Sequence, residues 1–77
     1  MALVKKFVKL EKQRNSVHRE VDYTYTVFDD SMGNKIFQID TYGSPDREIK
    51  GKVSQSIQLD KESAEELIKI IKEEILD

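Results

Sequence analysis

Residues 35–60, KIFQIDTYGSPDREIKGKVSQSIQLD, decide the fold of this chain. Over residues 35–42, Ile36, Gln38, Asp40 and Tyr42 fall on one face of a strand and Phe37, Ile39 and Thr41 on the other. The Phe37 set is the more apolar and is expected to face inward. Gly43, Ser44 and Pro45 end the strand, because proline lacks a ladder donor and glycine has no side chain to pack. Beyond a loop that runs to Gly51, residues 53–59 alternate again, with Val53, Gln55, Ile57 and Leu59 set against Ser54, Ser56 and Gln58. Asp60 then offers its carboxylate to the free amides of a first helical turn. Ser63, with Glu66 three residues on, offers a second cap one turn later, and either start fits the pattern.

Downstream, residues 61–76 carry Ala64, Leu67, Ile68, Ile71 and Ile75 on one helical stripe, which is expected to cover the apolar face of a sheet. Ile70 and Leu76 lie off that stripe and leave apolar surface for a second subunit. Upstream, residues 21–28 form a strand in which Val21, Tyr23, Tyr25 and Val27 are expected inward, and DDSMGN at residues 29–34 is dense in turn formers. Residues 2–15 fit two periods: Leu3, Phe7 and Leu10 suit a helix, while Leu3, Lys5, Phe7 and Lys9 alternate as in a strand. The β-branched and aromatic content, and the absence of a cap before Ala2, favour the strand. Residues 13–16 read as a polar turn. The expected class is α+β: a single domain over residues 1–77, with a four-stranded antiparallel sheet in the order β-β-β-β-α and one C-terminal helix.

A chain of 77 residues buries only about 60% of the surface that its unfolded form exposes, so its core is marginal. Without cysteine it has neither disulfides nor thiolate zinc sites, and self-association is the remaining staple. A homodimer is therefore expected. Apolar residues make up 38% and charged residues 36%, enough of the first to fold and of the second to stay in water. Lys5, Lys6 and Lys9 break up the apolar residues near the start, so no membrane span is expected and a cytoplasmic setting follows. The net charge of -2 conceals an asymmetry. Residues 1–20 hold six cations against Glu11 and Glu20, a balance of +4, which leaves -6 for the rest. Arg47, Lys50 and Lys52 are locally basic, whereas residues 60–77 hold seven acids against Lys61, Lys69 and Lys72.

Catalytic constellations are weak. Asp40 with Glu48 and Lys50 has the residue types of a nuclease metal site, but Gly43, Ser44 and Pro45 break the chain between them. DDSMGNK lacks the alternating ligands and closing glutamate of a calcium loop, and His18 stands without a cysteine or serine partner. Gly43 and Gly51 lack phosphate-loop spacing. No enzyme activity, metal or cofactor is expected. The polar strand face is more informative. Tyr42, Gln38, Ser54, Ser56 and Gln58, ringed by Lys35, Arg47, Lys50 and Lys52, combine stacking surface, neutral hydrogen-bonding groups and phosphate-pairing cations.

A hairpin, then KIFQID as a K-x-x-x-x-D strand, a loop with Pro45-Asp46, then Gly51-Lys52 and I-x-L before a helix with paired acids resembles the positive-cofactor-four family of transcriptional coactivators. The resemblance runs from about Thr24 to Ile75. It implies a curved four-stranded sheet with a C-terminal helix, dimerisation, and single-stranded DNA along the sheets; with the polar strand face, the expected function is binding of single-stranded DNA or RNA with little sequence preference. On it, Lys35, Gly51 and Lys52 match family positions, and Tyr42 stands at the aromatic-bearing end of its strand. Two departures are that Val53 to Ser56 intervene between the glycine and I-x-L, and that the chain has no tryptophan. The binding residues so expected are Tyr25, Tyr42, Lys35, Arg47, Lys50 and Lys52. The contrasting expectation is a protein-interaction or inhibitory module that uses the TYGSPDR loop.

Overall fold

The computed structural model describes residues 1–42 and 52–77. Four strands, β1 (Ala2–Val4), β2 (Tyr23–Asp29), β3 (Lys35–Thr41) and β4 (Gln55–Leu59), are followed by helix α1 (Lys61–Ile71) and a π-helical turn, Lys72–Leu76. The class is α+β, as the sequence suggests. The sheet order is β1-β4-β3-β2, and here the all-antiparallel expectation is corrected: β1 runs parallel to β4 while the other pairs are antiparallel. Residues 5–22 are long enough to carry the chain across the sheet, so β1 takes the edge beside β4 and not a hairpin position beside β2.

Strand ends coincide because ladders end together. Thr41 pairs with both Tyr23 and Gln55, so β2 and β4 begin where β3 stops, short of the expected starts at Val21 and Val53. β1 stops at Val4 because its partner there is Leu59, after which the chain turns into the helix. The strand expected over residues 2–15 therefore survives only as Ala2–Val4. The β2–β3 reversal lies at residues 30–34. Gly33 takes a positive φ of 82°, and one carboxylate oxygen of Asp30 accepts from the amides of Met32 and Asn34, each at 2.9 Å. These amides hold the Asp30 carboxyl below the usual carboxylate range.

The helix cap is resolved in favour of Asp60. Its carboxylate accepts from the Ser63 amide at 2.9 Å, and the Asp60 amide donates to the Ser63 hydroxyl at 3.0 Å, so both residues proposed as caps join in one reciprocal box. The core sits at this end of the sheet. Among the described residues the buried hydrophobics are Ile36 (7% exposed) and Leu59 (5%), which lie on opposite faces.

The helix is rotated relative to expectation. Its covered side runs through Ser63, Ala64, Leu67 and Ile70, while Ile68, Ile71, Ile75 and Leu76 face outward. Only one residue separates β4 from α1, so the helix starts at the end of the sheet and meets β3 and β4 alone among the strands it packs on most closely. Ile68 stays 67% exposed and Ile75 74%. The radius of gyration, 14.8 Å, exceeds the roughly 11.5 Å of a compact chain of this length. Among the described residues, no helix is long and apolar enough to cross a membrane.

Candidate nucleic-acid interface

Strand alternation and the registers sort the side chains onto two faces. Tyr25 opposes Ile39, Val27 opposes Phe37, and these continue through Ile57 and Leu59 into one aromatic and aliphatic face. The other face carries Thr24, Gln38, Asp40, Ser56 and Gln58.

On the first face, Tyr25 stacks on its diagonal neighbour Phe37, with ring centroids 5.4 Å apart and planes 21° from parallel. Tyr25 is nevertheless 70% exposed, and Tyr23 and Val27 beside it are exposed as well. The Val/Tyr set expected to be inward thus shares the apolar face but is not buried there. Among the described residues, α1 packs on β3 and β4, whereas β2 lies at the far edge of the sheet. Lys35 starts β3 on the same face as Phe37, and its ammonium lies 3.1 Å from Asp29, its cross-strand partner.

The second face is an internally hydrogen-bonded row. The Gln58 amide donates to Gln38 Oε1 at 2.8 Å, Gln38 Nε2 donates to both Asp40 oxygens at 3.0 and 3.3 Å, and the Ser56 hydroxyl also donates to Asp40. Ser56 is buried, so this face is less open than the solvated surface expected from its composition. Asp40, the acid of the nuclease-like pattern, is engaged in this row, and no group of three or more metal-ligating residues occurs among the described residues.

The expected site is therefore divided. Tyr25 and Lys35 share the aromatic face. Tyr42 belongs to the other side, half-buried, with its hydroxyl 2.7 Å from that of Thr24. Lys52 is exposed, while Arg47, Lys50 and the rest of the loop at residues 43–51 lie outside the described residues. Tyr23 and Phe37 join the aromatic face without having been singled out. Counting the register back from the DDSMGN turn pairs Tyr25 with Ile39 and would have found the Phe37 diagonal.

At the other end of the sheet, the residues after β1 lie along the helix. Lys5 Nζ donates to Asp60 Oδ2 at 2.5 Å, and Lys9 reaches Glu74 at 3.1 Å. The Lys5 hydrogen bond first, and then the Ser63 amide and hydroxyl, hold the Asp60 carboxyl down at about 2. Its folded value lies below that of an unfolded aspartate, about 3.9, so the stabilisation is complete above that value and is lost as pH falls through about 2. Helicity followed by circular dichroism should hold down to about pH 4 and decline between about 4 and 2. Asp60→Asn, which keeps a capping oxygen but no charge for Lys5, should flatten this step. An unchanged acid transition in the variant would assign the step to other carboxylates.

No protein-family model, curated protein or solved structure matches this chain.

Proposed function

We propose that the protein is a small cytoplasmic homodimer that binds single-stranded DNA or RNA with little sequence preference, a reading in line with its resemblance to the single-stranded DNA-binding positive-cofactor-four family. The observation that carries this proposal is the exposed Tyr25–Phe37 stack, flanked by Tyr23 and by Lys35 on one open sheet face. Bases of any identity present a π-face to such a platform, and neighbouring cations track the backbone. Lys52 supplies a further exposed cation, and Arg47 and Lys50 belong to the same basic segment of the sequence. Tyr42, tied to Thr24 on the opposite face, is assigned a structural role. The dimer is supported by the thin core and by the outward stripe Ile68, Ile71, Ile75 and Leu76, which replaces the surface expected from Ile70 and Leu76.

Fluorescence anisotropy with a labelled oligothymidylate tests the binding. Stacking is worth about 1–3 kcal/mol per base, so Tyr25→Ala should weaken binding roughly 5- to 150-fold. Absence of any salt-sensitive binding at protein concentrations on the order of tens of micromolar would remove the proposal.

A second reading, a protein-interaction module, draws on β2. This strand is exposed along all seven residues, and no described strand pairs with its outer edge, so an extended peptide could add there. A partner that is retained from extract after nuclease treatment, and is lost when Val27→Pro disturbs the edge, would favour it.

A further inference from the structure

We propose that the basic arm at residues 5–19 is a second phosphate-binding element, two of whose cations, Lys5 and Lys9, are held on Asp60 at the helix cap and Glu74 in the π-turn until a nucleic acid takes them over. The proposal rests on the nucleic-acid reading above and adds to it a site and its control. Between β1 and β2 the chain has no regular structure, yet it carries Lys5, Lys6, Lys9, Lys12, Arg14 and Arg19. Two of these cations meet helix carboxylates across a long sequence separation, Lys5 with Asp60 at 2.5 Å and Lys9 with Glu74 at 3.1 Å. Lys6, Lys12 and Arg14 are exposed.

Exposed ion pairs of this kind contribute little and are screened by salt. Exchanging a carboxylate for a phosphate therefore costs the arm little, while each phosphate neutralised releases condensed counterions from the nucleic acid. The acidic helix thus acts as an internal competitor. It lowers affinity for any polyanion too short or too weakly charged to reach both the arm and the sheet.

Chain continuity favours a nucleic acid over an anionic lipid surface. The arm is continuous in sequence with β2, its cations running from Lys5 to Arg19 ahead of Tyr23 and Tyr25, so one strand can be held by its phosphates and stacked by its bases together. The arm also lacks the amphipathic helix that lies in a membrane interface.

The test is the salt dependence of oligothymidylate binding by the full chain and three variants, with circular dichroism confirming that each is folded. Lys6→Ala/Lys12→Ala/Arg14→Ala should weaken binding and reduce the slope of log affinity against log salt by about 2, at about 0.7 per phosphate contact. Glu11→Gln/Glu74→Gln, which removes both carboxylates that pair with Lys9, at 3.7 and 3.1 Å, should tighten binding about 2-fold at low salt. Tyr25→Ala should lower affinity and leave the slope unchanged. A triple variant with the parent slope overturns the arm site, and so does capture of phosphatidylserine vesicles as tight as that of the oligonucleotide. A Tyr25→Ala variant that binds like the parent while the triple variant loses slope overturns the aromatic face and leaves the arm standing. If the parent chain binds no oligonucleotide, both fall.

Discussion

Leu59→Ala is expected to remove a large share of the stability of this protein. Leu59 is 5% exposed, pairs in register with Phe37 on one side and Val4 on the other, and immediately precedes the Asp60 cap. Truncating a buried leucine costs about 2–5 kcal/mol, because the lost transfer energy is joined by the cavity left behind. A domain of this size has about 4–12 kcal/mol in total. Here the site cannot be relieved by neighbouring core, since Ile36, the other buried hydrophobic among the described residues, lies on the opposite face. Ile57→Ala is the matched control: Ile57 shares the face and the strand but is exposed, so its cost should stay near 1 kcal/mol. Urea unfolding of both variants measures the contrast. Equal losses would show that the core does not lie at the helix end of the sheet.

The second large effect is on assembly. The double variant Ile71→Asp/Ile75→Asp should convert the proposed dimer, of twice 9.0 kDa, into a 9.0 kDa monomer on light scattering. Ile68, Ile75 and Leu76 are 67–74% exposed, and Ile71, 37% exposed, borders the covered side, so together they leave apolar surface uncovered at the C-terminal end of the helix. In a two-fold interface the same stripe meets its own copy, so each introduced carboxylate appears twice and is desolvated against apolar surface. The melting temperature of the parent should also rise with protein concentration, and that of the variant should not. A parent chain that already scatters as 9.0 kDa at high concentration would remove the dimer.

Much of the fold was legible because it depends on local chemistry. The strands around Tyr25, Ile39 and Ile57 follow from alternation, the turn from DDSMGN with Gly33 at positive φ, and a helix start from Asp60 or Ser63, of which the structure takes Asp60 as the cap. Each is decided by residues within one turn or one pleat of each other. The candidate site was legible only in part. Composition points to Tyr25 and Lys35, but it does not separate Tyr25 from Tyr42: with Tyr25 opposite Ile39, the alternation that continues past Thr41 puts Tyr42 on the other side, where its hydroxyl meets that of Thr24. Phe37 was assigned to the core by hydrophobicity, although its ring also forms the base on which an exposed Tyr25 stacks.

Local chemistry suffices for the strands around Tyr25, Ile39 and Ile57, for the hairpin reversal at DDSMGN and for a helix beginning within one turn of Asp60, since periodicity, turn residues and cap oxygens act over a few residues. Long-range packing sets the parallel placement of β1 beside β4, the burial of Ser63 with Leu67 and Ile70 half-covered while Ile68 and Ile75 stay exposed, and the pairing of Lys5 and Lys9 with Asp60 and Glu74. These outcomes share one physical cause. They depend on where a ladder runs out of partners and on contacts between residues up to 65 positions apart, and neither is written in the spacing of neighbouring side chains.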